Sequence, residues 1–155
     1  MTKLEILENE AKDECLDVVS YPFSSTRIKG IYCDGTVAIN KYIDTTSEKS
    51  CILAEELGHY HTTYGNIIDQ SSISDRKQEL RARAWAYDRM VGISGIIEAY
   101  KIGCRSIYET AEYLNVTEEF LSDALQHYKR KYGMHTKIDN YVICFEPSLC
   151  VFKFI

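Results

Sequence analysis

The chain has 155 residues, with 45% hydrophobic and 26% charged residues and a net charge of −5, a profile of one globular domain long enough to bury a real core. The acidic balance argues against a protein whose main task is gripping nucleic acid, and no apolar run is long enough to span a membrane. The opening Met1-Thr2-Lys3-Leu4-Glu5 is charged from the start and has no apolar signal core, so an intracellular, cytoplasmic location is expected.

Residues 2–16 form an amphipathic helical pattern with Leu4, Ile6, Leu7 and Ala11 on the face to be buried. Residues 16–21 are extended and stop at Pro22. Residues 28–40 read as a hairpin: Ile31-Tyr32-Cys33 and Thr36-Val37-Ala38-Ile39 flank Asp34-Gly35, a pair suited to the positive φ angles of a tight turn. The polar stretch 44–49 supplies caps for a helix over 50–62, which Tyr64-Gly65-Asn66 would end. A second long helix is expected over 74–91, with Ser74 or Asp75 as its N-cap and Gln78 or Glu79 completing a capping box. A shorter helix follows over 93–102.

Residues 106–114 and 117–131 form a helical pair around the turn Asn115-Val116, and residues 141–145 and 150–154 read as a strand pair or two extended segments around Glu146-Pro147-Ser148. The fold class is therefore α+β and helix-dominated, with a small sheet made mainly by the N-terminal hairpin and a helix-turn-helix-like C-terminal pair. Nothing resembles a linker, so a single domain over 1–155 is expected. The six cysteines, Cys15, Cys33, Cys51, Cys104, Cys144 and Cys150, are scattered without a C-x-x-C pair and read as reduced, small core residues.

Glu55-Glu56-Leu57-Gly58-His59 is one residue away from the His-Glu-x-x-His signature of zinc metallopeptidases. Positions 55 and 59 share one helical face, one turn apart, and can share an ion. Glu56 sits about 100° round the helix, beside that face, where it can reach a water without being a ligand. Gly58 leaves room for a neighbouring backbone or a substrate. A third ligand must come from elsewhere, and Glu79 on the next helix is the candidate. Ala82, Ala84 and Ala86 would let that helix pack closely, with Trp85 buried. On spacing alone, two adjacent Glu and one His read as a solvated acidic face.

Longer segments change the weight of that motif. Lys29-Gly30-Ile31-Tyr32-x-Asp34-Gly35, Glu48-Lys49-x-Cys51-Ile52-Leu53-Ala54-Glu55-Glu56-Leu57-Gly58-His59, Arg76-Lys77-Gln78-Glu79-Leu80-Arg81-Ala82-Arg83-x-Trp85-Ala86-Tyr87, Thr110-Ala111-Glu112-Tyr113-Leu114-x-Val116-Thr117-Glu118-Glu119-Phe120 and Lys131-Tyr132-Gly133 together resemble the ImmA/IrrE metallopeptidase family over about residues 28–146. The resemblance implies a zincin-like metallopeptidase domain, with residues 1–103 as metal-site core, 104–133 as helical pair and 134–155 as an extended tail. It implies an intracellular protein of a phage or other mobile element, or of its bacterial host. Its partner would be a repressor-type transcription regulator, cleaved at a peptide bond by metal-held water. By position, Glu56 corresponds to the general base, and Glu55, His59 and Glu79 to the metal ligands. Many members carry the downstream acid in a Glu-Ala-x-x-Phe-Ala context; aligned on Trp85-Ala86, that register places Arg81 there instead. Glu in the first position resembles an Ala-Glu-Glu-Leu-Gly-His branch of the family.

The expected cofactor is one divalent ion, zinc or else manganese or another. A carboxylate binds zinc at about the distance of an imidazole. A Glu/His/Glu set carries more negative charge, which weakens the ion as a Lewis acid and loosens its selectivity. A weak or inactive member that regulates a repressor by binding is therefore the alternative reading. A DNA-binding regulator through 106–131 is a lesser one, disfavoured by the acidic start of the second helix, Glu118-Glu119. His61 and Tyr60 are near the motif, His61 as a candidate ligand or catalytic helper, and Asp69 lies between the two site helices, where it could approach the metal as a fourth ligand or orient His59. Arg76, Arg81 and Arg83 share a helix with Glu79 and suit pairing with acidic neighbours.

Overall fold

The computed structural model of the protein describes residues 1–63 and 72–155, and the side chains of all of these except 72–74. It is mixed α+β, and divides into two compact units, 1–89 and 90–155.

Unit 1 begins with helix α1 (Lys3–Asp13), whose start is fixed by a capping box between Thr2 and Glu5. It ends where Cys15 takes φ 59° and the Leu16 amide reaches back to the Ala11 carbonyl at 2.8 Å, the hydrogen bond of a left-handed helix stop. Leu16 and Ala11 are both buried there. The chain continues into β1 (Asp17–Tyr21), β2 (Gly30–Cys33) and β3 (Thr36–Asn40). Asp34 and Gly35 have φ 45° and 76° and form the β2–β3 turn, as Asp-Gly requires. In the sheet, β3 is central, pairing antiparallel with β2 and parallel with β1, Val19 opposite Ala38. Only the hairpin half of this sheet was expected; the parallel partner is set by a pairing distant in sequence.

Helix α2 (Thr46–Thr63) starts four residues before the expected position, because the Thr45 hydroxyl accepts the Glu48 amide at 3.2 Å. It packs against β2, β3 and α1. Leu53, Ala54 and Leu57 of α2, Val37 and Ile39 of β3, and Leu7 of α1 are all buried. Gly30 at the start of β2 permits this approach: a Cβ there would stand 2.6 Å from Ile52 Cγ2. Helix α3 (Ser72–Met90) also starts early, so Ser74 and Asp75 lie within its first turn and are not its N-cap. The expected end of α2 at Tyr64-Gly65-Asn66 lies outside the described residues. Arg89 on α3 and Glu10 on α1 form an ion pair.

Unit 2 contains α4 (Gly92–Lys101), α5 (Ile107–Leu114), α6 (Glu118–Tyr132) and a sheet ordered β4 (His135–Ile138), β5 (Tyr141–Cys144) and β6 (Cys150–Lys153), antiparallel throughout. Ser106 and Thr117 cap α5 and α6 with their hydroxyls. Asn115 between them takes φ 57°, and Val116 closes back onto Ala111 at 3.0 Å. Ile96, Leu121, Ala124, Tyr128 and Ile143 are buried in this unit, and the Tyr128 hydroxyl accepts the Gly92 amide at 3.2 Å. The expected strand pair over 141–145 and 150–154 forms as β5 and β6, and β4 joins it to make a three-stranded sheet of the stretch expected as an extended tail, so the sheet content is not mainly N-terminal.

The cysteines depart from expectation. Cys51 alone is buried; Cys15, Cys33 and Cys150 are exposed and Cys104 and Cys144 intermediate. Strand alternation turns Cys33 and Cys150 outward, and Cys15 occupies the exposed stop of α1. Among the described residues no helix is long and apolar enough to cross a membrane.

Candidate metal and acid-base site

Helix α2 presents three adjoining faces. Gly58 meets α3 so closely that a Cβ would stand 2.3 Å from the Ala82 carbonyl oxygen. Ala82 and Ala86 are fully buried, so small residues on both helices bring the backbones together, as the sequence suggested. This contact places the next residue, His59, against Glu79: Nε2 and Oε2 are 3.1 Å apart. The second Glu79 oxygen, Oε1, accepts from Arg83 Nε at 3.1 Å, one turn on. With the side chains of His59 and Glu79 27% and 42% exposed, such a pair contributes at most about 1 kcal/mol to stability.

Glu56 and Tyr60 are one turn apart on the face that meets β2. The Tyr32 backbone N–H donates to the Glu56 carboxylate, and the Tyr32 and Tyr60 rings meet edge-on with centroids 5.8 Å apart. Glu56 is pushed up from 4.5 to about 7. Burial is the largest cause, followed by the negative charges of Glu55 and Glu79; the Tyr32 N–H works in the opposite direction. The structure therefore draws Glu55, Glu56, His59 and Glu79 into one electrostatic neighbourhood.

Its geometry stops short of a closed metal cage. Two ligands bound at about 2.0–2.1 Å in a tetrahedron stand about 3.3 Å apart, so the His59–Glu79 spacing of 3.1 Å suits two positions of such a site. Among the described residues no three His, Cys, Asp or Glu side chains converge closely enough to hold an ion as they stand. Glu55 would have to swing in from the same helical face to complete the set.

The remaining candidates are placed as follows. The exposed His61 stacks on Trp85, with centroids 4.8 Å apart and planes at 23°, and meets the Tyr60 ring on another side at 4.9 Å. Trp85 is therefore not buried as expected; it is half-exposed and covers His61. The Tyr60 hydroxyl donates to Glu14 Oε2 at 3.1 Å, at the end of α1. Arg81 is exposed. Asp69 lies outside the described residues. The sequence reading missed the Tyr32 amide and the need for Gly30, because both depend on which strand edge faces α2. Comparison of the chain with protein-family models, curated proteins and solved structures finds no match.

Proposed function

We propose that this chain is a metal-dependent, zincin-like endopeptidase of the ImmA/IrrE type that acts on a phage or mobile-element repressor in the cytoplasm. The supporting observation is the meeting of His59 and Glu79 from two helices, beside a carboxyl group held near neutrality. His59 and Glu79, with Glu55 turned inward, would hold one divalent ion, zinc or manganese. That ion would supply Lewis acidity to the scissile carbonyl. Glu56 takes the proton of the attacking water and returns one to the leaving amine. A group near pH 7 suits both transfers. The Tyr32 amide and the packing of Glu56 between α2 and β2 fix the carboxylate in place. Gly58 keeps the two ligand-bearing helices in register.

The test has two parts. Protein purified without chelator should carry about one divalent ion per chain, lost in His59→Ala and Glu79→Gln. Glu56→Gln should keep the ion and abolish cleavage of a repressor encoded beside this gene. Absence of any bound ion in the wild type, or unchanged cleavage by Glu56→Gln, overturns the corresponding part.

The absence of a three-ligand cluster among the described residues favours a second reading, in which the chain inactivates a repressor by binding alone. Stable co-purification with an intact repressor, unaffected by His59→Ala, would select it.

A further inference from the structure

Unit 2 has a cavity of about 520 Å³ between α4, α5 and the residues leading into β6. That volume is in the range of small-molecule sites. Ile96, Ile107, Leu149 and Val151 provide apolar walls, and Arg105 is the one charged side chain in its lining.

Arg105 is exposed, and its guanidinium is oriented by two backbone carbonyls and a tyrosine ring. Its Nη1 donates to the carbonyls of Tyr100 and Cys104, both at 2.8 Å, and its Cζ lies 4.2 Å from the centre of the Tyr100 ring. A guanidinium has five N–H donors in a fixed fork, and Nη1 accounts for two. Among the described residues no carboxylate pairs with the rest. Glu109, the nearby acid, accepts the backbone N–H of Arg105 at 3.1 Å. Neighbouring hydroxyls are already engaged: Ser106 Oγ accepts the Glu109 amide at 3.1 Å, and Thr110 Oγ1 donates to the Ser106 carbonyl at 2.8 Å. A positioned cation with unused donors thus stands in the wall of an apolar cavity.

We propose that this cavity binds a small molecule with an apolar body and a terminal carboxylate, Arg105 being its counter-ion. A bidentate carboxylate matches the free edge of the fork, and the hydrocarbon body removes the apolar walls from water. A neutral alcohol of equal length leaves the fork unmatched, and a bare inorganic anion leaves the walls wet. Selectivity for the acid follows from the two features together.

The probe is octanoate, titrated into the full chain by calorimetry and compared with octanol. Cys104, half-buried, and Cys150, exposed, both line the cavity, whereas Cys15 and Cys33, also exposed, belong to unit 1. Alkylation of these four cysteines, read by mass spectrometry, gives an internal control. Octanoate should bind saturably and slow alkylation of Cys104 and Cys150 only. Octanol should bind about tenfold or more weakly, the usual cost of losing a charge-assisted pair. Arg105→Gln should bring octanoate to the level of octanol, and Arg105→Lys should fall between. If Arg105→Gln does not fold, the acid–alcohol comparison on the wild type decides by itself. Equal binding of acid and alcohol, equal slowing at all four cysteines, or no saturable binding up to about 10 mM overturns the proposal.

Discussion

Gly58 of α2 lies directly against the Ala82 backbone of α3, where an added Cβ would stand 2.3 Å from a carbonyl oxygen and 3.2 Å from a Cα. The obstacle is helix backbone at the buried Ala82 and cannot step aside as a flexible side chain would. The usual gain from replacing a helical Gly by Ala, about 1 kcal/mol, is therefore reversed. Gly58→Ala should destabilise the protein by roughly 1–3 kcal/mol and separate His59 from Glu79. Denaturant unfolding checks the first effect and metal binding the second. A variant as stable as the wild type would show that the helices do not touch there.

Glu56 gives a pH signature in the metal-free protein. Its folded value of about 7 lies above the ordinary 4.5. Between those values the folded chain holds a proton that the unfolded chain has released, so stability falls as pH rises through this window and levels off above it. Glu56→Gln removes the effect while keeping an acceptor for the Tyr32 amide. With chelator present, the variant and the wild type should melt alike near pH 4. At pH 8 the variant should be more stable by roughly 1–2 kcal/mol, allowing for partial solvent screening. An equal gap at both pH values would contradict the buried-carboxyl account.

At the proposed metal site, Glu55 would decide whether an ion has two protein ligands or three. Glu55→Ala should weaken zinc binding by at least about tenfold, as expected for loss of a ligand, while Glu55→His should retain it. Competition against a coloured chelator measures both. Unchanged affinity in Glu55→Ala would remove this residue from the ligand set.

Trp85 is the only tryptophan of the chain, so its fluorescence reports one place. His61 covers its ring at 4.8 Å. Replacing His61 by Ala should expose the indole, shift its emission to longer wavelength and cost about 0.5–1.5 kcal/mol of stability. Unaltered emission would show that the stack is not formed in solution.

Much of the fold is legible where local chemistry dictates it. Asp34-Gly35 announces its turn, and Ser106, Asn115 and Thr117 announce the ends of α5 and α6, because the deciding hydrogen bonds lie within a few residues. β4 was missed because His135-Thr136-Lys137-Ile138 has no apolar alternation; it is a strand through its pairing with β5. The parallel join of β1 to β3 is invisible for the same reason. At the site, helical spacing together with the resemblance brought out Glu56, His59 and Glu79. Trp85 was misjudged because an aromatic residue among alanines reads as core, whereas its helical phase aims it at the exposed His61.

Glu56 also has a protective part in the sheet. β2 is an edge strand. Lys29 bonds inward to Asn40 of β3, and the Tyr32 amide is turned to Glu56. Open strand edges recruit other chains, and here one of the edge donors is occupied by the Glu56 side chain. The carboxylate is thus a stopper on the sheet, so its loss threatens solubility whether or not it also serves as the proposed base. Glu56→Ala would free that donor, and Glu56→Gln would keep it covered. Of the two variants, the alanine form is the one that should form intermolecular sheet as its concentration rises.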